Sequence, residues 1–266
     1  MASGDVASAT EALSRRDRIV IVLALGGVTA LAWLWLVMQA QYMTDMAGDM
    51  TDMVMSLTDS WTVSYASLTF AMWWVMMLGM MLPSAAPMIL TFETLNRNKR
   101  ARGQMFVPTA IFVVGYLIAW GGFSAIATFA QWALDQFVLL TPMLEIGSRL
   151  FGGILLIVAG SYQFTPLKQA CLRGCRSPFA FLLNHWHDGW IGALRMGLAH
   201  GAYCIGCCAV LMALLFLAGA MNLLWVATLA VFVFAEKLLP GGVWIGRAGG
   251  IAMLGFGVVL LHRGLG

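Results

Sequence analysis

Apolar residues run through this chain in long stretches parted by short polar segments, at 19–38, 68–92, 107–132, 147–166, 191–218, 222–239 and 243–262. A helix rises about 1.5 Å per residue, so a run of roughly twenty apolar residues spans the ~30 Å hydrocarbon core of a bilayer. The runs lack the two-residue alternation of barrel strands. The pattern therefore predicts an all-α, polytopic transmembrane helix bundle of about seven spans. Residues 1–18 form a polar tail and 19–266 one membrane domain, with an outer segment at 39–67 and an inner loop at 167–190. The last two spans are the least distinct, because Pro240, Gly241 and Gly242 mark either a tight turn or a break in one re-entrant unit. The first run is longer than a signal-peptide core of about 7–15 residues, and no clear cleavage site follows, so it reads as a retained span.

Composition agrees: 61% of residues are hydrophobic, 10% are charged, and mean hydropathy is +0.85. Soluble domains carry about 25% charged residues. No phosphate-binding glycine loop, nucleotide fingerprint or nucleic-acid module appears, and no soluble domain has room to fit. With seven spans and a cytoplasmic N-terminus, of the fifteen Lys and Arg only Arg149 and Arg263 fall outside. Asp45, Asp49, Asp52, Asp59, Asp135 and Glu145 collect on the outer side. This asymmetry follows the positive-inside rule and predicts N-terminus in, C-terminus out.

Sulfur distribution carries the chemistry. Twelve of the nineteen Met lie between Met38 and Met88. In the outer segment Met43, Met46, Met50 and Met53 follow helical spacing, with Asp45, Asp49 and Asp52 on an adjacent stripe. Thioethers bind Cu(I) without deprotonation, and carboxylates attract hydrated cations. The competing reading is a surface helix filled with flexible Met. In the second span Met72, Met76 and Met80 recur every fourth residue, beside Met77 and Met81. Pro83 and Pro87 near its inner end free backbone carbonyls. Packing of Met on Trp73 and Trp74 explains any single Met there; the stripe suits passage of a soft metal equally well.

The fifth span carries His200, Cys204, Cys207 and Cys208 on one broad face, with Met212 a turn on and Gly201 and Gly206 thinning the helix. An imidazole and three thiols suit Cu(I), or else zinc, although one straight helix rarely supplies every ligand. A second candidate set is Cys171 and Cys175 with His185 and His187 in the inner loop, where Arg173 and Arg176 oppose a cation and instead suit anionic lipid. Glu236 and Lys237 are ionisable groups at the end of the sixth span. Charge inside a membrane marks a functional or paired site by default; Glu236 is a candidate for orienting the His200 imidazole, and the competing reading for Lys237 is snorkelling to the interface.

The residues Trp74, Met76, Met77, Met80, Met81, Pro83, Ser84, Pro87 and Met88 carry a family resemblance. So do Tyr162, Gln163, Pro166, Lys168, Cys171, Leu172, Cys175 and Arg176, then Tyr203, Cys204, Gly206, Cys207 and Cys208, and finally Glu236 with Lys237. Over roughly residues 68–250 the chain resembles a bacterial family of predicted metal-binding integral membrane proteins of unassigned activity. It departs from the pattern at Ala209, where the family has an aromatic residue. The resemblance implies a multi-pass protein of a bacterial inner membrane.

Together these features predict a soft-metal binding membrane protein, with Cu(I) as the metal, acting in uptake, relay or delivery to a cuproprotein or metallochaperone partner. Transport driven by this chain alone is disfavoured, because no ATPase phosphorylation motif is present. The alternative is a copper-dependent membrane oxidase or oxygenase, or a subunit of one. Oxygen chemistry at copper favours imidazole-rich sites, and the four His, including His262, lie at different depths. A scaffold in which Cys and Met only pack is the third reading. Gly241, Gly242, Gly246, Gly249 and Gly250 suggest close helix packing and leave an oligomer open.

Overall fold

Capping residues set the helix boundaries in the second half of the chain. The side chains of Ser148, Thr165 and Asn222 accept hydrogen bonds from Phe151 N, Lys168 N and Trp225 N at 3.4, 3.3 and 3.2 Å, each closing a first turn. Pro166 and Pro178 occupy first-turn positions, where a missing N–H costs nothing. The computed structural model describes residues 2–49, 61–101, 103, 106–137, 148–217 and 219–265. Side chains are described for 15–42, 61–100, 103, 106–137, 148–217 and 219–264.

The helices are α1 (Ala2–Asp49), α2 (Val63–Ala101), α3 (Thr109–Gln136), α4 (Arg149–Tyr162), α5 (Pro166–Arg176), α6 (Pro178–His185), α7 (Gly189–Ala213), α8 (Leu223–Leu238) and α9 (Gly242–Leu265). A short 3-10 turn, Leu214–Phe216, extends α7. Among the described residues there is no strand, so the chain is an all-α bundle.

The crossing pattern differs from seven simple spans. Among the described residues five helices are long and apolar enough to cross a membrane: Arg15–Tyr42, Val63–Arg100, Thr109–Gln136, Gly189–Phe216 and Gly242–Gly264. The run at 147–166 is α4, the first half of a pair whose second half, α5, bends away by 63°. Thr165 and Pro166 cause the break by capping a new helix inside the apolar run. The run at 222–239 is α8, only 16 residues long. That is about 24 Å, less than the ~30 Å hydrocarbon core. The inner loop expected at 167–190 is chiefly the two helices α5 and α6. The segment expected on the outer side begins as a continuation of α1 through Asp49. Met43, Met46, Asp45 and Asp49 lie on that stretch, but their side chains are outside the described residues, as are Met50, Met53 and Asp52 entirely.

α2 is the central element. Its Met72, Trp73, Met76, Met77, Met80, Met81, Met88 and Phe92 are all buried, and α1, α3, α6 and α8 pack around it. The indole of Trp33 on α1 donates to Gly79 O at 3.2 Å, and Trp73 donates to Gln131 Oε1 on α3 at 2.8 Å. These bonds satisfy polar groups that lipid could not. α3 and α7 run parallel in very close contact. A Cβ added at Gly197 would meet Phe112 O, and one added at Gly201 would meet the Ala119 side chain. Gly197 and Gly201 form a small-residue motif that lets two backbones touch. Large apolar side chains remain exposed on α1, α3 and α9, among them Leu23, Leu31, Ile126, Phe129, Ile251 and Phe256. A water-facing surface would not carry so much apolar area; a bilayer would cover it.

Candidate metal centre

α7 is buried along the face that carries its thiols. His200, Cys204, Cys207 and Cys208 retain at most 2% exposure. Close approach on either side of α7 keeps this face sealed, by α3 at Gly197 and by α5 at Gly206. A Cβ at Gly206 would lie 2.7 Å from Cys171 Sγ. Cys207 and Cys208 donate to Cys204 O at 3.1 and 2.9 Å, so both thiols are held against the helix.

Four further helices bring groups to these sulfurs. α5 supplies Cys175, whose Sγ lies 4.0 Å from Cys207 Sγ. α2 supplies Met81, whose Sδ lies 3.9 Å from Cys208 Sγ. α8 supplies Lys237, whose Nζ lies 2.9 Å from Cys204 Sγ, 3.3 Å from Ser84 Oγ and 3.8 Å from Met81 Sδ. Tyr116 of α3 closes the set; its hydroxyl donates to Met81 O at 3.2 Å and lies 3.3 Å from Cys204 Sγ. Met81 stands near the middle of α2, and Cys204 is fifteen residues into α7, about 22 Å from its start. The cluster therefore lies deep in the bundle.

Two sulfurs each about 2.3 Å from one metal ion are separated by about 3.8 Å in tetrahedral and about 4.0 Å in trigonal coordination. The Cys175–Cys207 and Cys208–Met81 separations fall in that range. They are two pairs: among the described residues no three His, Cys, Asp or Glu side chains converge as a ready-made ligand set.

Lys237 has no carboxylate within ion-pair distance among the described residues. Its neighbour Glu236 points elsewhere, to Lys168 Nζ at 2.7 Å from Oε1 and 2.9 Å from Oε2. Lys168 also donates to Gln163 Oε1. Adjacent residues on a helix project about 100° apart, so the Glu236–Lys237 dipeptide serves two different clusters. Glu236 is thus the partner of Lys168, not of His200. The His200 ring stacks on Tyr116 and Phe112, with centroids 5.5 and 6.2 Å apart, and meets the edge of Phe181. Its Nδ1 has no hydrogen-bond partner among the described residues.

The other predicted site residues divide. Met72, Met76 and Met80 all face the interior, continuing from the cluster along α2 beside Trp73. The loop set separates: Cys175 joins the buried thiols, while half-buried Cys171 packs on Gly206. The Nδ1 atoms of His185 and His187 bond to Phe181 O and His185 O at 3.0 and 2.8 Å, directing both rings to backbone. Sequence reasoning marked Lys237 as a functional, paired or snorkelling charge without placing it at the thiols, took Met81 only as part of a neighbouring Met stripe, and gave Ser84 and Tyr116 no role at the site. The signal available was three ionisable groups, Lys168, Glu236 and Lys237, in or beside apolar runs, one more than a single ion pair requires.

No curated protein and no solved structure is matched by this chain. A family model does match, over residues 70–260, and that range contains the Met row of α2 and every residue of the sulfur and lysine cluster. On that match the chain belongs to the PpoB2 copper chaperone family.

Proposed function

We propose that this protein is a membrane-embedded copper chaperone that holds Cu(I) as cargo among Cys175, Cys204, Cys207, Cys208 and Met81. The observation that carries the reading is the Lys237 ammonium, buried 2.9 Å from a thiol with no carboxylate at ion-pair distance among the described residues. An isolated buried charge is costly, so its environment should provide a counter-charge when the site is filled. Cu(I) held by two thiolates carries a net charge of −1, which Lys237 neutralises. A divalent ion on the same two thiolates would leave a buried positive charge. Thiolate and thioether donors are also the soft set that Cu(I) prefers.

The buried row Met72, Met76, Met77 and Met80 extends this chemistry along α2 with neutral donors that need no proton release. It supports passage of Cu(I) between the cluster and the end of α2 that follows the Met and Asp segment. Met43, Met46, Met50 and Met53 with Asp45, Asp49 and Asp52 would then collect copper on the outer face of a bacterial inner membrane. His200, one turn from Cys204, is placed to take part when copper leaves toward the other end. Delivery to a cuproprotein is the expected destination of such cargo.

The test is anaerobic Cu(I) loading of the detergent-purified protein, read by X-ray absorption and by competition with a Cu(I) chelator. A sulfur-only ligand shell is expected. At about 4 Å and an effective dielectric of about 20, one unit charge contributes on the order of 4 kcal/mol. Lys237→Met should therefore weaken Cu(I) binding by at least about a hundredfold, and Lys237→Arg by much less. A shell of nitrogen and oxygen, or unchanged affinity in Lys237→Met, would contradict the proposal.

A further inference from the structure

The faces of α3 and α7 turned away from the cluster enclose an open groove of about 520 Å³, walled by Ile118, Gly122, Ile126, Leu198 and Ala202, with Arg195 at one end. The lining is apolar apart from that guanidinium. From Arg195 to Ile205, the far lining residue on α7, is ten residues, about 15 Å. That is half of a ~30 Å hydrocarbon core, the depth of one leaflet.

Arg195 sits at the charged end of the bundle. It is six residues from the start of α7, about 9 Å, where Asp188 pairs with Lys99 at 2.6 Å. The described carboxylates on α1 and α2 at this end are also occupied, Asp17 and Glu93 both by Arg97. Among the described residues Arg195 makes no ion pair. An arginine on a lipid-facing surface at this depth extends its head toward the interface. There it meets phosphate, which its planar fork binds well.

We infer that this groove is a binding site for one anionic phospholipid, with an acyl chain along α3 and α7 and the headgroup phosphate on Arg195. Charge complementarity selects this occupant over a partner helix, since a purely apolar helix would leave the guanidinium unpaired in lipid. Nothing in the site requires copper, so it stands apart from the chaperone reading.

The full-length protein, purified in detergent, would be exposed to phosphatidylglycerol or phosphatidylcholine carrying a photoreactive acyl chain, and the cross-linked peptides mapped. Phosphatidylglycerol should label residues 118–126 and 195–205 and outcompete phosphatidylcholine. A basic side chain near the surface accounts for about a fivefold preference, which Arg195→Gln should abolish. Gly122→Phe tests the groove independently. A Cβ at Gly122 meets nothing within 4 Å, so the ring is accommodated in the groove and should block labelling with Arg195 intact. Equal labelling by the two lipids, labelling unaffected by Gly122→Phe, or a co-purifying polypeptide cross-linked at residues 195–205 would each overturn the inference.

Discussion

Glu236→Gln should destabilise this protein severely, and a second substitution should rescue it. The Lys168 side chain is fully buried and Glu236 is 3% exposed, with nitrogen and oxygen 2.7 Å apart. The pair ties the first turn of α5 to the last turn of α8, beside the break that follows α4. Removing one partner of a buried ion pair leaves an uncompensated charge and costs about 3–5 kcal/mol. Gln163 accepts from the same ammonium, so some contact persists; the lower end of that range is the better figure. At about 2–4 °C per kcal/mol for a chain of this size, the midpoint should fall by on the order of 10 °C. Thermal unfolding in detergent, followed by intrinsic fluorescence, reads the change. Lys168→Met should lose a similar amount, because it strands the carboxylate. The double variant should recover much of either loss, since it leaves no uncompensated charge buried. Loss of less than about 1 kcal/mol in Glu236→Gln, or a double variant less stable than both singles, would refute the reasoning.

Two further outcomes follow from the same geometry. Gly197→Ala drives a methyl into Phe112 O and should cost about 1–3 kcal/mol or force α3 and α7 apart; size-exclusion and thermal profiles matching the parent would show that the contact is looser than described. Hydrogen bonds from Lys99 and Trp186 hold the exposed Asp188 carboxyl below its ordinary range. A lowered folded pKa contributes stability that is present above the unfolded value and is lost as pH falls through the folded one. The contact should therefore persist through neutral and mildly acidic pH and open only below the usual carboxylate range, with a small effect because Asp188 is solvated. The fluorescence of Trp186, taken as the difference from Trp186→Phe, should follow that transition and lose it in Asp188→Asn.

The helical class was legible because apolar runs near twenty residues have few other uses. The inward orientation of Cys204, Cys207 and Cys208 was legible for the same reason, since offsets of three and four keep side chains on one face. What escaped was long-range. Thr165 and Pro166 announce a new helix start, yet nothing local says that α5 then bends by 63° and packs on α7. That bend carries Cys175 from a supposed cytoplasmic loop into the thiol cluster and buries Lys168. Glu236 read as a partner of His200 and Lys237 as an interfacial side chain, whereas helical geometry turns them toward Lys168 and Cys204. His200 was correctly placed beside the thiols in sequence, but aromatic stacking with Tyr116 and Phe112, not a carboxylate, fixes its ring.

The central claim is that the buried sulfurs bind copper. Its most direct test is copper stoichiometry by mass spectrometry after anaerobic Cu(I) loading of the detergent-purified protein, compared with a Cys204/Cys207/Cys208→Ser variant and with Cys171→Ser as a control. About one tightly held copper per chain is expected in the parent and in Cys171→Ser, and none in the triple variant. Equal copper in all three proteins, or none in the parent, would contradict the account and leave these thiols a packing role.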